Sequence, residues 1–137
     1  MYPGYAIPGV YYAEALGRRG AILKAFAAEV FEQVDLIATQ TIPTVLPTLA
    51  ETDIDAAEAA GDPAETIARF LAVSVNTRPF NYLGLPAASA PCGLDANGLP
   101  VGLQLAGRPF AEARVLKVAD AYQRDTDWHR RRPAAIQ

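Results

Sequence analysis

A chain of 137 residues, 51% hydrophobic and 20% charged, is long enough for one domain with a real core and too short for two; at this size roughly two-thirds of the unfolded surface is buried. That balance excludes disorder, coiled coil and collagen, and twelve basic against fifteen acidic residues, net −3, leave no global field for nucleic acid or an anionic membrane. The single Cys92 excludes an internal disulfide and a thiolate metal cluster, which fits a reducing, cytoplasmic setting.

The opening Met1-Tyr-Pro-Gly-Tyr-Ala-Ile-Pro has no basic region and no apolar run, so neither a signal peptide nor a membrane anchor is expected there. No segment approaches the ~20 apolar residues of a membrane span. Over residues 10–33, Tyr12, Leu16, Leu23, Phe26, Ala27 and Val30 recur mostly at three- and four-residue spacings, with Glu14, Arg18, Lys24 and Glu32 between them. That pattern predicts an amphipathic helix, weakened in its first half by Gly17 and Gly20 at about 1 kcal/mol each relative to alanine. A short apolar run over 35–41 follows, and Pro43 and Pro47 stop it from continuing as a central strand.

The acids Glu51, Asp53, Asp55 and Glu58 read as a solvated loop or helix face, because no His, Asn or glycine-turn pattern accompanies them. Asp62-Pro63-Ala64-Glu65 starts a second helix: Asp62 caps, Pro63 takes the first helical position, and Glu65 sits where a capping box places it. The helix is expected to run to about Val75, with Ser74 inside it and a break at Arg78-Pro79, since the residue before a proline is pushed away from helical dihedrals. From 85 to 105 the signals change to strand and turn: small residues over 87–90, Cys92-Gly93, the tight-turn pair Asn97-Gly98, then Val101, Leu103 and Leu105 alternating with Gly102 and Gln104. A last helix over about 110–124 puts Val115, Leu116, Ala119 and Tyr122 on one face. The elements make an α/β or α+β arrangement. The run Arg130-Arg131-Arg132 reads as a solvated tail.

One histidine, one cysteine, two serines and two lysines allow each chemical candidate to be weighed singly. His129 lies far in sequence from either serine, so a Ser-His-Asp triad would need the tail folded over the core. Cys92 lacks a neighbouring histidine or helix N-terminus to lower its pKa and reads as a small buried thiol. Ser74 and Ser89 read as structural. Gly93, Gly98, Gly102 and Gly107 never spell a nucleotide-binding glycine loop and are better explained by turns and close packing. No catalytic residue, metal site or cofactor is indicated.

The run Asn81-Tyr-Leu-Gly-Leu-Pro-Ala-Ala-Ser-Ala-Pro-Cys-Gly-Leu-Asp, continued by Asn97-Gly-Leu-Pro-Val-Gly-Leu-Gln-Leu-Ala-Gly-Arg-Pro-Phe, closely resembles the C-terminal region of amidase signature enzymes. Tyr12, Ala15 and Arg19, the 35–47 segment and the ending Asp127-Trp128-His129-Arg130 agree, so the resemblance spans nearly the whole chain. It implies an α/β fold, the C-terminal part of a large mixed sheet flanked by helices, with residues 1–137 as a single partial domain. It also implies amide C–N bond hydrolysis by a lysine and two serines, which the family carries on an earlier, glycine- and serine-rich stretch. This chain contains no such stretch, and Lys24 and Lys117 sit on predicted helix faces.

What the resemblance transfers is therefore support, with Thr77, Arg78 and Phe80 as one wall of the substrate pocket because they lie in a break between elements. A nucleophilic serine needs a base and oxyanion donors, so the chain alone is expected to be inactive. Its expected partners are a small amide in the full-length enzyme and a complementary N-terminal half or a second copy, with no nucleic acid and no membrane. The family pattern is departed from at Gln40 and Leu46, where a proline and a small residue are usual. It is departed from again at Ser74, where glutamine-using amidotransferase subunits carry an acid, which leans toward a general amidase. Two other readings stay open: part of the A subunit of a glutamine-dependent tRNA amidotransferase, or a non-catalytic binding module built on the same fold.

Overall fold

Pro91 and Gly93 decide how the two strand-like runs pair. The computed structural model describes residues 6–61 and 63–132, and in it β2 (Ala87–Leu94) and β3 (Pro100–Gly107) form an antiparallel hairpin whose register slips between Pro91 and Gly93. Proline has no N–H to give the ladder, and Cys92 is the extra residue of the resulting bulge. The expected Asn97-Gly98 turn is present with Gly98 at φ 78°, but it sits inside a five-residue connection. Asp95 holds that connection, its Oδ1 accepting the N–H groups of Asn97 and Leu99 at 2.9 and 2.8 Å.

On the other side of β3 lies β1 (Leu36–Gln40), so the three-stranded antiparallel sheet has the order β1-β3-β2. Both outer strands are edges, which is where the prolines that follow β1 and interrupt β2 are tolerated. The register puts Ile37, Thr39 and Thr41 beside Ala106, Gln104 and Gly102, and those beside Ala87, Ser89 and Pro91, on one face. Leu36, Ala38, Leu103, Leu105, Ala88 and Ala90 share the other, because strand side chains alternate.

Helices cover both faces. On the first, α1 (Gly9–Val30) brings Leu23, Phe26, Ala27 and Val30 onto a core of Phe31, Phe80, Leu83, Leu85 and Ala106. The rings of Phe26 and Phe31 meet edge to face, 5.8 Å between centroids, a geometry worth about 0.5–1.5 kcal/mol beyond the area buried. Only the second half of the expected amphipathic face is packed: Tyr12, on the same stripe, is 67% exposed.

The first half of α1 instead holds α4 (Arg78–Leu83) through its polar groups, the Tyr82 hydroxyl donating to Ala15 O and Arg19 Nη2 to Leu83 O. Gly84 closes α4 in the left-handed region at φ 70°, and a Cβ there would collide with the Arg19 guanidinium. On the second face, α5 (Glu112–Asp125) lays Val115 against Gly107, where an added Cβ would lie 2.8 Å from the valine methyl. Leu116, expected to share that face, is 62% exposed, because consecutive helical residues point about 100° apart.

Between β1 and α4 the chain forms a 3₁₀ turn (Ala50–Thr52), α2 (Ile54–Ala59) and α3 (Ala64–Ala72). Two of the acids here are structural: Asp53 caps α2 through Ala56 N, and Glu51 accepts from Thr48 N and pairs with Arg69. The expected cap at Asp62 lies outside the described residues, and Pro63 stands in the N-cap position of α3. Two boundaries differ from expectation. The second helix stops at Ala72, leaving Ser74 in a turn over 73–77, and Arg78 opens α4 with Pro79 in its first turn, where the missing proline N–H has no intrahelical partner to lose. A 3₁₀ turn (Trp128–Arg130) packs against β2 near the end of the chain, with Arg131 stacked over Trp128 at 4.1 Å. Among the described residues no helix is long and apolar enough to cross a membrane.

Candidate substrate-facing groove

Gly102 is the hinge of the candidate site. It sits on the central strand between two hydroxyl residues of the outer strands, and because it has no side chain, Thr41 Oγ1 and Ser89 Oγ meet above it at 2.6 Å. A Cβ on residue 102 would lie 2.6 Å from both oxygens. Thr41 is held in place by its own backbone, its N–H donating to Gly102 O at 2.8 Å in a continuation of the β1–β3 ladder.

Above this pair opens a groove of about 570 Å³, walled by Ile42, Val45 and Leu46 on one side and Pro91, Pro100 and Val101 on the other. Its volume is in the range of small-molecule sites. Asp95 also borders the groove, but both hydrogen bonds to its Oδ1 come from the hairpin loop. The site therefore combines apolar walls and a neutral hydroxyl floor with one carboxylate, Asp95, at its border.

Two residues along β3, on the same face, Gln104 is buried at 4% exposure. Its Nε2 donates to Thr39 Oγ1 and to Asn76 O, both at 3.0 Å, while Asn76 Nδ2 donates to Gln40 O at 2.9 Å. The 73–77 turn is thereby fastened to the end of β1 next to Thr41. This places the residues singled out from sequence. Thr77 is the N-cap residue of α4 with its hydroxyl on Ser74 O, and Arg78 donates Nη2 to Leu71 O. Phe80 is buried in the core under α4. None of the three lines the groove itself; Thr77 and Arg78 stand beside it, joined through Asn76.

Ser89, Gly102 and Gln104 all lie in the run that carries the family resemblance, but that run does not say that Thr41, Thr39 and Asn76 meet them. The legible signal was the alternation Gly102-Leu103-Gln104, which puts a glycine and an amide on one face of a strand flanked by hydroxyl residues.

Among the described residues neither serine has a base. The Ser89 hydroxyl is bonded to Thr41, and Ser74 Oγ donates to Leu71 O at 3.2 Å. His129 is not bonded to either, and its Nδ1 is buried without a hydrogen-bond partner. Beside the groove, Glu51 and Arg69 border a smaller recess with Val45 and Leu46. The Glu51 carboxyl is held below its ordinary pKa, first by the Thr48 backbone N–H, then by the Thr48 hydroxyl and by Arg69. Arg69 is pushed up by Glu65 and Glu51.

The sequence matches the family model described as Amidase over residues 5–116. It is 46% identical to the A subunit of glutamyl-tRNA(Gln) amidotransferase from Chloroflexus aggregans over 97% of this chain and 25% of that protein. The protein of the same name from Moorella thermoacetica is 49% identical over 90% of this chain and 23% of its own length. Among solved structures, 6-aminohexanoate cyclic dimer hydrolase complexed with substrate superposes with a TM-score of 0.69 at 28% identity, over 84% of this chain and 25% of that one. The chain thus spans about a quarter of the length of the relatives it matches.

Proposed function

The chain belongs to the amidase family, and on that basis we propose that its 137 residues are a single partial domain, the C-terminal scaffold of an amide-splitting enzyme, supplying one wall of the substrate pocket and none of the reacting groups. The observation that carries this reading is the state of the two serines: each hydroxyl is engaged with a group that cannot take its proton, Thr41 for Ser89 and a backbone carbonyl for Ser74. The proposed wall is the Thr41–Ser89 groove together with Thr77 and Arg78, with Phe80 supporting them from the core. Its substrate is a small amide, and its partner is the catalytic portion of the family's polypeptide, which buries the exposed stripe around Tyr12 and Leu16. One free thiol, Cys92, fits a reducing, cytoplasmic setting.

The test is ammonia release from hexanamide and from glutamine. We expect none from the purified chain and measurable turnover once it is co-expressed with that catalytic portion. Turnover by the chain alone, abolished by Ser89→Ala, would overturn the proposal. Arg78→Ala in the assembled enzyme, with unchanged kinetics on every amide tried, would remove that residue from the wall.

A second reading has its own observation. The 46% and 49% identities are to proteins named as the A subunit of glutamyl-tRNA(Gln) amidotransferase, which favours glutamine as the amide, whereas Ser74, in place of an acid, offers no charge to a substrate ammonium group. Turnover of glutamine but not hexanamide by the assembled enzyme decides for the amidotransferase reading, and the reverse for a general amidase.

A further inference from the structure

We propose that Gln104 is a positioning residue: its side-chain amide latches the 73–77 turn to the sheet, so that Thr77 and Arg78 and the Thr41–Ser89 groove form one continuous substrate wall. The inference rests on the reading of the chain as a pocket wall given above and adds what holds that wall together.

Gln104 is the one buried polar residue among the described residues. A buried amide is costly unless its hydrogen bonds are made, and a leucine or methionine would fill similar volume without that cost. Its donors go to two groups that belong to different segments. Nε2 gives one N–H to Thr39 Oγ1 on β1 and one to Asn76 O in the turn before α4, each at 3.0 Å. Asn76 completes the fastening by donating its own Nδ2 to Gln40 O at 2.9 Å. The acceptor groups lie 65 and 28 residues away in sequence, so the amide does not serve local structure.

The position of the latch is what gives it a role in binding. Gln104 and Gly102 are two residues apart on β3, about 7 Å along one face. Gly102 carries the Thr41–Ser89 pair at the floor of the groove. Gln40, whose carbonyl Asn76 holds, immediately precedes Thr41 and itself lines the groove. Loosening the latch frees the segment bearing Thr77 and Arg78 and withdraws a restraint on the groove's β1 side, while the β1–β3 backbone ladder remains. Sites of this kind depend on supporting hydrogen bonds to keep wall residues within a fraction of an ångström.

The experiment compares Gln104→Met and Gln104→Glu in the enzyme assembled from this chain and the catalytic portion, with hexanamide as the probe. The methionine variant is expected to raise KM about tenfold with kcat within twofold, at every pH. The glutamate variant keeps the shape of the side chain, but its carboxyl donates to Asn76 O only when protonated. The groups bonded to it, the Thr39 hydroxyl and the Asn76 backbone carbonyl, do not titrate, so its KM relative to wild type should return toward one as pH falls through the pKa of the new carboxyl, which burial raises. A role confined to stability predicts no such pH-dependent recovery.

The proposal is overturned if Gln104→Met leaves KM within twofold of wild type, or if KM and kcat change together in both variants regardless of pH. Should the wild-type assembly turn over no amide, the pocket-wall reading fails by itself, and amide hydrogen exchange still decides the latch. Faster exchange at Asn76, Thr77 and Arg78 in the methionine variant, with the Leu103 and Leu105 amides unchanged, supports it; unchanged exchange at the three overturns it.

Discussion

Replacing Gly102 with alanine tests the geometry of the groove floor most directly. The added methyl would stand 2.6 Å from Ser89 Oγ and 2.6 Å from Thr41 Oγ1, distances that real Cβ atoms essentially never show, and a tight 3.1 Å from Thr41 Cβ. The two hydroxyls must part, which breaks their 2.6 Å hydrogen bond and pushes on both edge strands at once. Overpacking of a close-fitting site costs about 1–3 kcal/mol, and the lost hydrogen bond about 0.5–1.5 kcal/mol. Gly102→Ala should therefore destabilise by about 2–4 kcal/mol, a fall in Tm on the order of 10 °C for a chain of this size. Urea unfolding followed by Trp128 fluorescence measures it, and a mutant cycle localises it. In a Thr41→Ala, Ser89→Ala background the same substitution should cost less than about 1 kcal/mol, since the colliding oxygens are gone. An undiminished cost in that background, or a Gly102→Ala protein as stable as wild type, refutes the claim that the hydroxyls meet over the glycine.

Gly84→Ala places a Cβ at φ 70° and into the Arg19 guanidinium, so it should cost at least about 1 kcal/mol from backbone strain alone, read by the same urea titration; pairing it with Arg19→Ala should recover the collision but not the strain. Val115→Ala removes two buried methyl groups from under α5 and should cost about 2 kcal/mol, whereas the neighbouring Leu116→Asn should change stability by less than about 0.5 kcal/mol because Leu116 is exposed. Equal effects at 115 and 116 would contradict the orientation of α5. Glu51 titrates below its ordinary value in the folded chain, so its contribution to stability is present above the ordinary carboxylate range and is lost as pH falls through the depressed folded value. Its ¹³C-detected midpoint should lie below that of an ordinary glutamate and rise in Thr48→Val, which removes the hydroxyl donor; a midpoint at the ordinary value sinks the assignment.

The types of the longer elements were legible in the chain because their signals are local; the short helix α4 was not, since Arg78-Pro79 read as a break. Three- and four-residue spacing marked α1 and α5, Asn97-Gly98 marked the turn between β2 and β3, and Pro43 and Pro47 kept β1 at an edge. The small-residue motif from Asn81 onward pointed to the family for the same reason, being one contiguous run. Boundaries failed where tertiary contacts overrule local preference. The 73–77 turn takes Ser74 out of a helix that periodicity would have continued, because Gln104 and Asn76 hold that turn to the sheet.

The site, by contrast, exists only once the chain is folded. The strand order β1-β3-β2 brings Thr41 and Ser89, 48 residues apart, to either side of a glycine whose missing side chain is the reason they touch. Residue identity says that Gly102 and Gln104 alternate with leucines; it does not say which face is covered by helices and which part of it stays open. That depends on the pairing of distant strands and on how far α1 and α4 reach across them. Among the described residues Tyr12 and Leu16 on the α1 stripe stay exposed, and periodicity cannot report which part of a stripe will be covered.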